Sequence, residues 1–280
     1  MSSAIVHGAE HSPLGQAVAY RDTYAPELLF PIARQLKRDE LGLAAGALPF
    51  VGEDLWNAYE ISWLDLRGKP VVALGRIRVP ASSPCLIESK SFKLYLNSFN
   101  QQRCADVATV QAMLVADLSA AAGAAVSVEL LPLLERPQRS SHYPHGFCLD
   151  QLDIDVERYQ PPAPELLRCG DEQVSETLYS HLLKSNCLVT GQPDWGMLVV
   201  RYRGPAIDRE SLLRYIISFR GHNEFHEQCV ERVFCDLLQH CRPQQLAVWA
   251  RYTRRGGLDI NPFRASCVSL SAEQGMEVRQ

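Results

Sequence analysis

The sequence predicts an α+β fold of two tandem lobes, each an antiparallel sheet covered on one face by a helix pair. Three observations carry that reading. The stretch Ser91-Phe92-Lys93-Leu94-Tyr95-Leu96-Asn97-Ser98-Phe99 recurs 120 positions later as Ser211-Leu212-Leu213-Arg214-Tyr215-Ile216-Ile217-Ser218-Phe219. A second helical stripe follows each copy. Alternating apolar runs flank the helices. The length agrees, since 280 residues at about 150 per domain predict two domains.

Each element has its own signal. In the first half, residues 59–66 and 71–79 read as strands joined by an Arg67-Gly68-Lys69 turn. Phe92, Tyr95, Leu96 and Phe99 then form the i, i+3, i+4, i+7 stripe of a helix with one buried face. The break at 100–103 ends it. Val107, Val110, Leu114 and Leu118 form the second stripe, and Val126, Val128 and Leu130 alternate as a strand does. In the second half the strand-like runs are 177–183, 187–190 and 197–203. Leu212, Tyr215, Ile216 and Phe219 repeat the first stripe, which breaks at Arg220-Gly221, as helices favour glycine just past their ends. Val230, Val233, Phe234, Leu237 and Cys241 repeat the second, and Leu246, Val248 and Ala250 alternate again. Each half therefore reads strand, strand, helix, helix, strand, strand. Prolines 137, 144, 161, 162 and 164 suit a connector rather than a helix interior. The expected organisation is an arm over 1–20, a first lobe over 21–135, a linker over 136–170 and a second lobe over 171–280.

Composition removes several classes of function. With 28 Lys+Arg against 32 Asp+Glu the net charge is −4, which argues against direct nucleic-acid binding driven by a polybasic surface. Apolar residues are 46 % of the chain, as in a globular protein. No apolar run approaches the ~18 residues of a membrane span, and residues 1–10 lack the features of a secretory signal. The nine cysteines include no C-x-x-C pair and read as reduced thiols of a cytoplasmic protein. No G-x-G-x-x-G follows a strand, and no P-loop is present.

Four groups of residues could carry chemistry. Cys187 lies in Ser185-Asn186-Cys187, with Asp194 and Trp195 beyond a Gly191-Gln192-Pro193 turn. A thiol there serves either as a small buried apolar group or as a nucleophile, with the carboxyl supplying a proton to what the thiolate attacks. His222, His226 and Cys229 have helical spacing, but Asn223 stands where a zincin needs Glu, so an unmetallated His226–Glu227 pair is preferred to a zinc site. Glu88 and Glu227 stand at helix starts. There a carboxylate either caps the helix or accepts two parallel N–H donors such as a guanine-like edge offers. Tyr252-Thr253-Arg254-Arg255-Gly256-Gly257 combines two cations with a flexible turn, as either a solvated hairpin or an anion-binding loop. The halves differ at their helix starts: at an offset of 120, His226 and Glu227 match Asp106 and Val107. Such unlike residues on a repeated scaffold suit either drift or one site fed by both lobes.

Together these segments resemble a known family. Glu88-Ser89-Lys90-Ser91-Phe92-Lys93-Leu94-Tyr95 resembles the signature of the QueF family of nitrile oxidoreductases, the NADPH-dependent 7-cyano-7-deazaguanine reductases. Ser185-Asn186-Cys187, Pro193-Asp194-Trp195, Phe225-His226-Glu227 and Arg254-Arg255-Gly256-Gly257-Leu258-Asp259 resemble its long, two-lobe type. The resemblance implies two tunnelling-fold lobes and the four-electron reduction of a nitrile to a primary amine, on the route to the tRNA nucleoside queuosine. It implies that Cys187 forms a covalent thioimide, that Asp194 donates a proton and that His226 assists proton transfer. It further implies that Ile87, Glu88, Ser89, His226 and Glu227 bind substrate and that Ser89, Lys90, Arg255 and Gly256 contact NADPH. The expected protein binds no metal and works as a homodimer, because open sheet edges are closed by assembly. The rival functions are a zinc-dependent pterin or purine ring-opening enzyme of the same fold and a non-catalytic binder of a purine-like ligand.

Overall fold

The computed structural model describes residues 20–133, 144–273 and 275–280. The expected arm, apart from residue 20, and the start of the expected linker fall outside them. The described chain is α+β, its sheets antiparallel but for one short parallel pairing, and it divides into two compact units. Residues 20–45, 53–133 and 254–259 make the first; residues 46–52, 144–253, 260–273 and 275–280 make the second. Among the described residues, no helix is long and apolar enough to cross a membrane.

In the first unit, β1 (Pro31–Ala33) leads into the short helix α1 (Gln35–Arg38). β2 (Val51–Leu64, in this unit from residue 53) pairs antiparallel with β3 (Pro70–Pro80). Asp65 closes their hairpin by accepting the backbone N–H groups of Arg67 and Lys69, 2.9 Å each. β4 (Cys85–Ile87) pairs with β1 and runs into α2 (Ser89–Asn97). α3 (Val107–Ala122) and β5 (Ser127–Pro132) follow, β5 antiparallel to β3. The apolar stripe of α2 is buried, and Phe92 meets Trp56 of β2 with ring centres 5.2 Å apart.

In the second unit, β6 (Phe147–Cys148) lies parallel to β7 (Cys169–Asn186), which pairs antiparallel with β8 (Pro193–Ile207). α4 (Arg209–Ile217), α5 (His226–Cys241) and β9 (Gln245–Tyr252) follow, β9 antiparallel to β8. β10 (Leu258–Ala265, in this unit from residue 260) pairs with β9. Two expectations change here. The runs at 177–183 and 187–190 are not separate strands: β7 reaches Asn186 without a break, and residues 187–192 are the turn into β8. Nor is β9 one-faced, for every residue from Leu246 to Tyr252 is buried. α5 packs along β9, while Trp249 and Ala247 sit in a second cluster with Tyr179, Met197 and Val199. A strand covered on both faces has no polar side to alternate with.

The repeat extends to single hydrogen bonds. Tyr95 donates to Asp117 and Tyr215 to Asp236, each at 2.6 Å. Ser98 receives the N–H of Ala25 and Ser218 that of Ala163, at 3.1 and 3.0 Å. Ser91 and Ser211 receive the N–H groups of Phe30 and Arg168 in the same way. The offset of 120 does not hold across the second helix, however. Asp106 is the N-cap of α3 and Phe225 that of α5, and both helices end in a left-handed residue, Gly123 and Arg242. The copies are there 119 apart, so His226 matches Val107 rather than Asp106. One residue fewer joins the helices in the second copy.

Glu231 of α5 and Arg264 of β10 form a buried ion pair, with two guanidinium nitrogens 2.9 and 3.1 Å from one oxygen. Removing one partner strands the other charge in a low-dielectric interior. Glu231→Leu is expected to cost about 3–5 kcal/mol in urea unfolding, and the double change with Arg264→Met to recover most of it; an unaltered midpoint in the single variant would contradict the pairing.

Candidate active site

The second unit gathers the predicted catalytic side chains around one backbone junction. Asn186, the last residue of β7, donates its N–H to the His222 carbonyl at 2.8 Å and accepts the Glu224 N–H at 3.0 Å. Its side-chain amide also donates to Asn223 at 3.0 Å. The next residue, Cys187, starts a tight turn: its N–H donates to the Gln192 carbonyl at 2.8 Å, and its own carbonyl accepts from Gly191 at 3.0 Å. Gly191 has φ +66°, which a side chain would strain. β8 then opens with Pro193 and Asp194, and Asp194 stands opposite Ser185 across the hairpin. Cys187 is 7 % exposed and Asp194 6 %. The Ser185 hydroxyl beside them is buried with no hydrogen-bond partner among the described residues. Buried polar atoms seldom go unpaired, and each unpaired one calls for an explanation such as a catalytic role or a bound water or ion.

His226 opens α5 two residues beyond the segment 222–224 that is bonded to Asn186. Its Nε2 lies 3.7 Å from Asp194, and its ring stands edge-on to Tyr252, centres 4.0 Å apart. Glycine at 196 permits this, since a Cβ there would lie 3.1 Å from the Tyr252 ring. Glu227, next to His226, is buried. α5, unlike α2, α3 and α4, has no side-chain cap, so its first turn consists of these two functional candidates. Behind them Glu224, 2 % exposed, is held in a fork by Arg232 at 2.6 and 2.9 Å. Cys229 does not gather with His222 and His226 into a cluster of metal-ligand geometry among the described residues, and complete burial, reinforced by the Glu224 charge, holds its thiol well above the ordinary range. His222 faces Glu224 instead, at 3.5 Å.

The first unit holds the other candidates. Ile87 ends β4, and Glu88 is the N-cap of α2. Glu88 is 1 % exposed, and its oxygens accept the Lys90 and Ser91 N–H groups at 2.7 Å each. Both sequence readings therefore meet in one side chain. It caps the helix, with the Ser89 hydroxyl also donating to Oε1 at 3.3 Å, and the second lone pair of Oε2 is left for a ligand. Ser89 and Lys90 are half-buried in the first turn. The turn bearing Arg255 and Gly256 docks in the same unit. Gly256 has φ +62°, and a Cβ there would lie 3.2 Å from the Lys93 side chain. Gly257 passes so close to Glu60 that a Cβ would clash at 2.4 Å. Arg254 stacks over Tyr59 at 4.2 Å, and Arg255 is exposed. Lys90 and Lys93 of α2 and the arginines of this turn thus belong to one unit. Cations beside a glycine backbone suit a phosphate-bearing group such as NADPH.

Sequence reasoning overlooked Lys93, Glu224 and Tyr252 as site residues. Lys93 stands three residues after Lys90 and so shares its helix face, a signal that was available. No local pattern marks Glu224 or Tyr252, which reach the site through tertiary packing.

Burial raises the Glu88 carboxyl above its ordinary 4.5, against the Lys90 and Ser91 amides, which lower it. A folded-state value above the unfolded one favours the folded protein below pH 4.5, an advantage lost as pH rises through the folded value. Glu88→Gln does not titrate. Its stability relative to the parent protein is therefore expected to improve as pH rises through that window, read from urea midpoints between pH 4 and 7. A constant difference would show that Glu88 titrates normally.

Comparison with known proteins adds to this geometry. Residues 20–130 match the family model described as "Nitrile reductase, 7-cyano-7-deazaguanine-reductase N-term", and residues 193–269 match that described as "QueF-like protein". Glu88 lies in the first stretch and Asp194, His226, Glu227 and Arg255 in the second, with Cys187 between them. Over 275 residues, 98 % of each chain, the sequence is 70 % identical to the NADPH-dependent 7-cyano-7-deazaguanine reductase of Azoarcus sp. (strain BH72). It is 66 % identical to that of Aromatoleum aromaticum over 276 residues, 98 % of this chain and 97 % of the relative. It is 57 % identical to that of Chromobacterium violaceum over 279 residues, 98 % and 99 %.

Proposed function

The chain belongs to the QueF family of 7-cyano-7-deazaguanine nitrile reductases, and from that membership we propose that it reduces the nitrile of 7-cyano-7-deazaguanine to an aminomethyl group, using two NADPH through a thioimide on Cys187. The same reading takes 21–135 and 171–280 as two tunnelling-fold lobes and places the reaction in queuosine biosynthesis. The observation that carries the mechanism is the placing of Asp194 and His226 beside the turn that holds Cys187.

A nitrile carbon is electrophilic but uncharged, and hydride adds to it poorly without activation. Addition of the Cys187 sulfur to that carbon, with a proton to nitrogen, makes a thioimide, R–C(=NH)–S–Cys. Asp194 supplies the proton as negative charge grows on nitrogen. NADPH supplies a hydride in each of the two reductions. The first, with a proton, gives R–CH(NH2)–S–Cys. Expulsion of the thiol frees an imine and restores Cys187, and the second hydride and a proton give R–CH2–NH2. His226 assists proton transfer, and the Tyr252 ring sets its orientation. One difficult addition becomes two easier ones, the usual gain from nucleophilic catalysis.

Recognition falls to carboxylates. Glu88 accepts an N–H donor of the pyrimidine edge through its remaining lone pair, flanked by Ile87 and Ser89, while His226 and Glu227 hold the base. Ser89, Lys90, Arg255 and Gly256 contact NADPH. The position of Gly256 against Lys93 supports adding Lys93 to that group.

Intact-mass measurement tests nucleophile and substrate together. Incubation with 7-cyano-7-deazaguanine alone is expected to raise the protein mass by one substrate mass. The Cys187→Ala protein is expected to show no increase, to lose turnover by at least ~10^3-fold, and still to bind the base. An adduct surviving in Cys187→Ala refutes the assignment. Binding without adduct or NADPH oxidation in the unaltered protein would support the non-catalytic binder.

A further inference from the structure

Three side chains unused by this chemistry converge in the second unit. The Sγ of Cys148, a carboxylate oxygen of Asp150 and a ring nitrogen of His181 all lie within 4.8 Å of one another. They come from different pieces of local structure. Cys148 ends β6, and Asp150 sits in the 3-10 turn Leu149–Gln151 that follows. His181 stands where β7 slips register against β8, between Ser180 and Leu183. Pairing of Cys148 with Tyr179 brings the two strands level, and such slips re-aim side chains out of the regular alternation.

The surroundings hold the donors in place. Asp150 accepts the Ser180 hydroxyl at 2.6 Å and the His181 backbone N–H at 3.0 Å. The Nδ1 of His181 lies 3.0 Å from a carboxylate oxygen of Glu277, whose side chain is fully buried. Glu277 is itself held by the Arg279 guanidinium at 2.8 Å and the Arg279 N–H at 2.7 Å. Since an ionised carboxylate can only accept, a neutral His181 in this geometry carries its proton on Nδ1 and its lone pair on Nε2. A carboxylate behind a histidine is the usual outer support of a metal ligand.

Donor chemistry selects the ion. Thiolate, imidazole and carboxylate together suit Zn2+, whereas Mg2+ and Ca2+ require oxygen ligands. Around a tetrahedral ion with bonds of about 2.0–2.3 Å the donors stand about 3.3–3.8 Å apart, so small side-chain rotations close the set. Burial, with the Asp150 charge adding to it, holds the Cys148 thiol above its ordinary range. A dication displaces that proton and turns a thiol beside a carboxylate into two ligands of one centre.

We propose that Cys148, Asp150 and His181 form a zinc site supported by Glu277, with its fourth position taken by water. None of these residues is among those assigned to the reduction, so the site stands apart from that chemistry. Occupied, it ties residues 147–151 to β7 and, through Glu277, to the segment 275–280.

Cobalt titration of chelator-stripped, full-length protein at neutral pH tests this. One equivalent of Co2+ is expected to develop a near-ultraviolet thiolate charge-transfer band with tetrahedral visible bands, and Zn2+ to displace it and raise the melting temperature. Cys148→Ser is expected to lose the charge-transfer band, His181→Ala and Asp150→Asn to bind far more weakly, and Cys187→Ala to titrate like the parent. Glu277→Gln keeps all three donors and is expected to weaken binding 10–100-fold. Circular dichroism shows that each protein is folded. Should Cys148→Ser not fold, Glu277→Gln decides alone: unchanged affinity there overturns the site. So does the absence of stoichiometric cobalt in folded parent protein, or a band that persists in Cys148→Ser or disappears in Cys187→Ala.

Discussion

The pairing of Asn186 with the segment 222–224 is the constraint on which the catalytic half of the molecule depends. Two backbone hydrogen bonds and one between side-chain amides fasten the end of β7 to the residues just before α5. Lys184 adds a fourth tie, from its ammonium to the Arg220 carbonyl at 2.7 Å. Three groups distant in sequence then share one frame: the turn holding Cys187, the strand holding Asp194, and the helix start holding His226. The far side of the junction is anchored by the ion pair of the buried Glu224 with the partly exposed Arg232, and removing Arg232 would leave a buried carboxylate without its charge partner. A shift of this junction would move the Cys187, Asp194 and His226 side chains relative to one another, and the proton transfer proposed for them tolerates little of that.

The two copies of the helical unit divide scaffold from function. Tyr–Asp and Ser–backbone hydrogen bonds recur in both, so the framework is common property. The differences gather at helix starts, where the helix dipole and unpaired N–H groups already favour anions. At the first helix, one copy has an exposed Asp208 as a plain cap and the other a buried Glu88. At the second, one copy has the capping Asp106 and the other has none, its first turn given to His226 and Glu227. Giving up a side-chain cap costs about 1 kcal/mol, a modest loss beside what the roles proposed for His226 and Glu227 would contribute.

Much of this was legible before folding. Stripes of period 3.6 marked both helix pairs because one face of each had to be buried, and the shared spacing exposed the repeat. Glu88, Asp194 and His226 were legible because they lie in compact motifs. Other features were not. The break placed after Leu183 arose because the register slip between Ser180 and Leu183 interrupts the alternation that marks a strand, though β7 continues through it. The run at 187–190 is apolar enough for a strand, yet the backbone reverses there. The uniform offset failed because a single missing residue between two helices leaves both stripes intact.

By itself, the sequence determined which residues face a core, where helices begin, and which reactive side chains lie in motifs, because periodicity and capping are local and a few neighbours settle them. Only the tertiary structure decided that Asp194 meets His226, that Tyr252 backs the imidazole, that Gly256 lies on Lys93, and that Cys148, Asp150 and His181 converge. Those contacts join residues from about 30 to more than 160 positions apart. Their distances depend on strand register and on one register slip, and no short window of sequence records either.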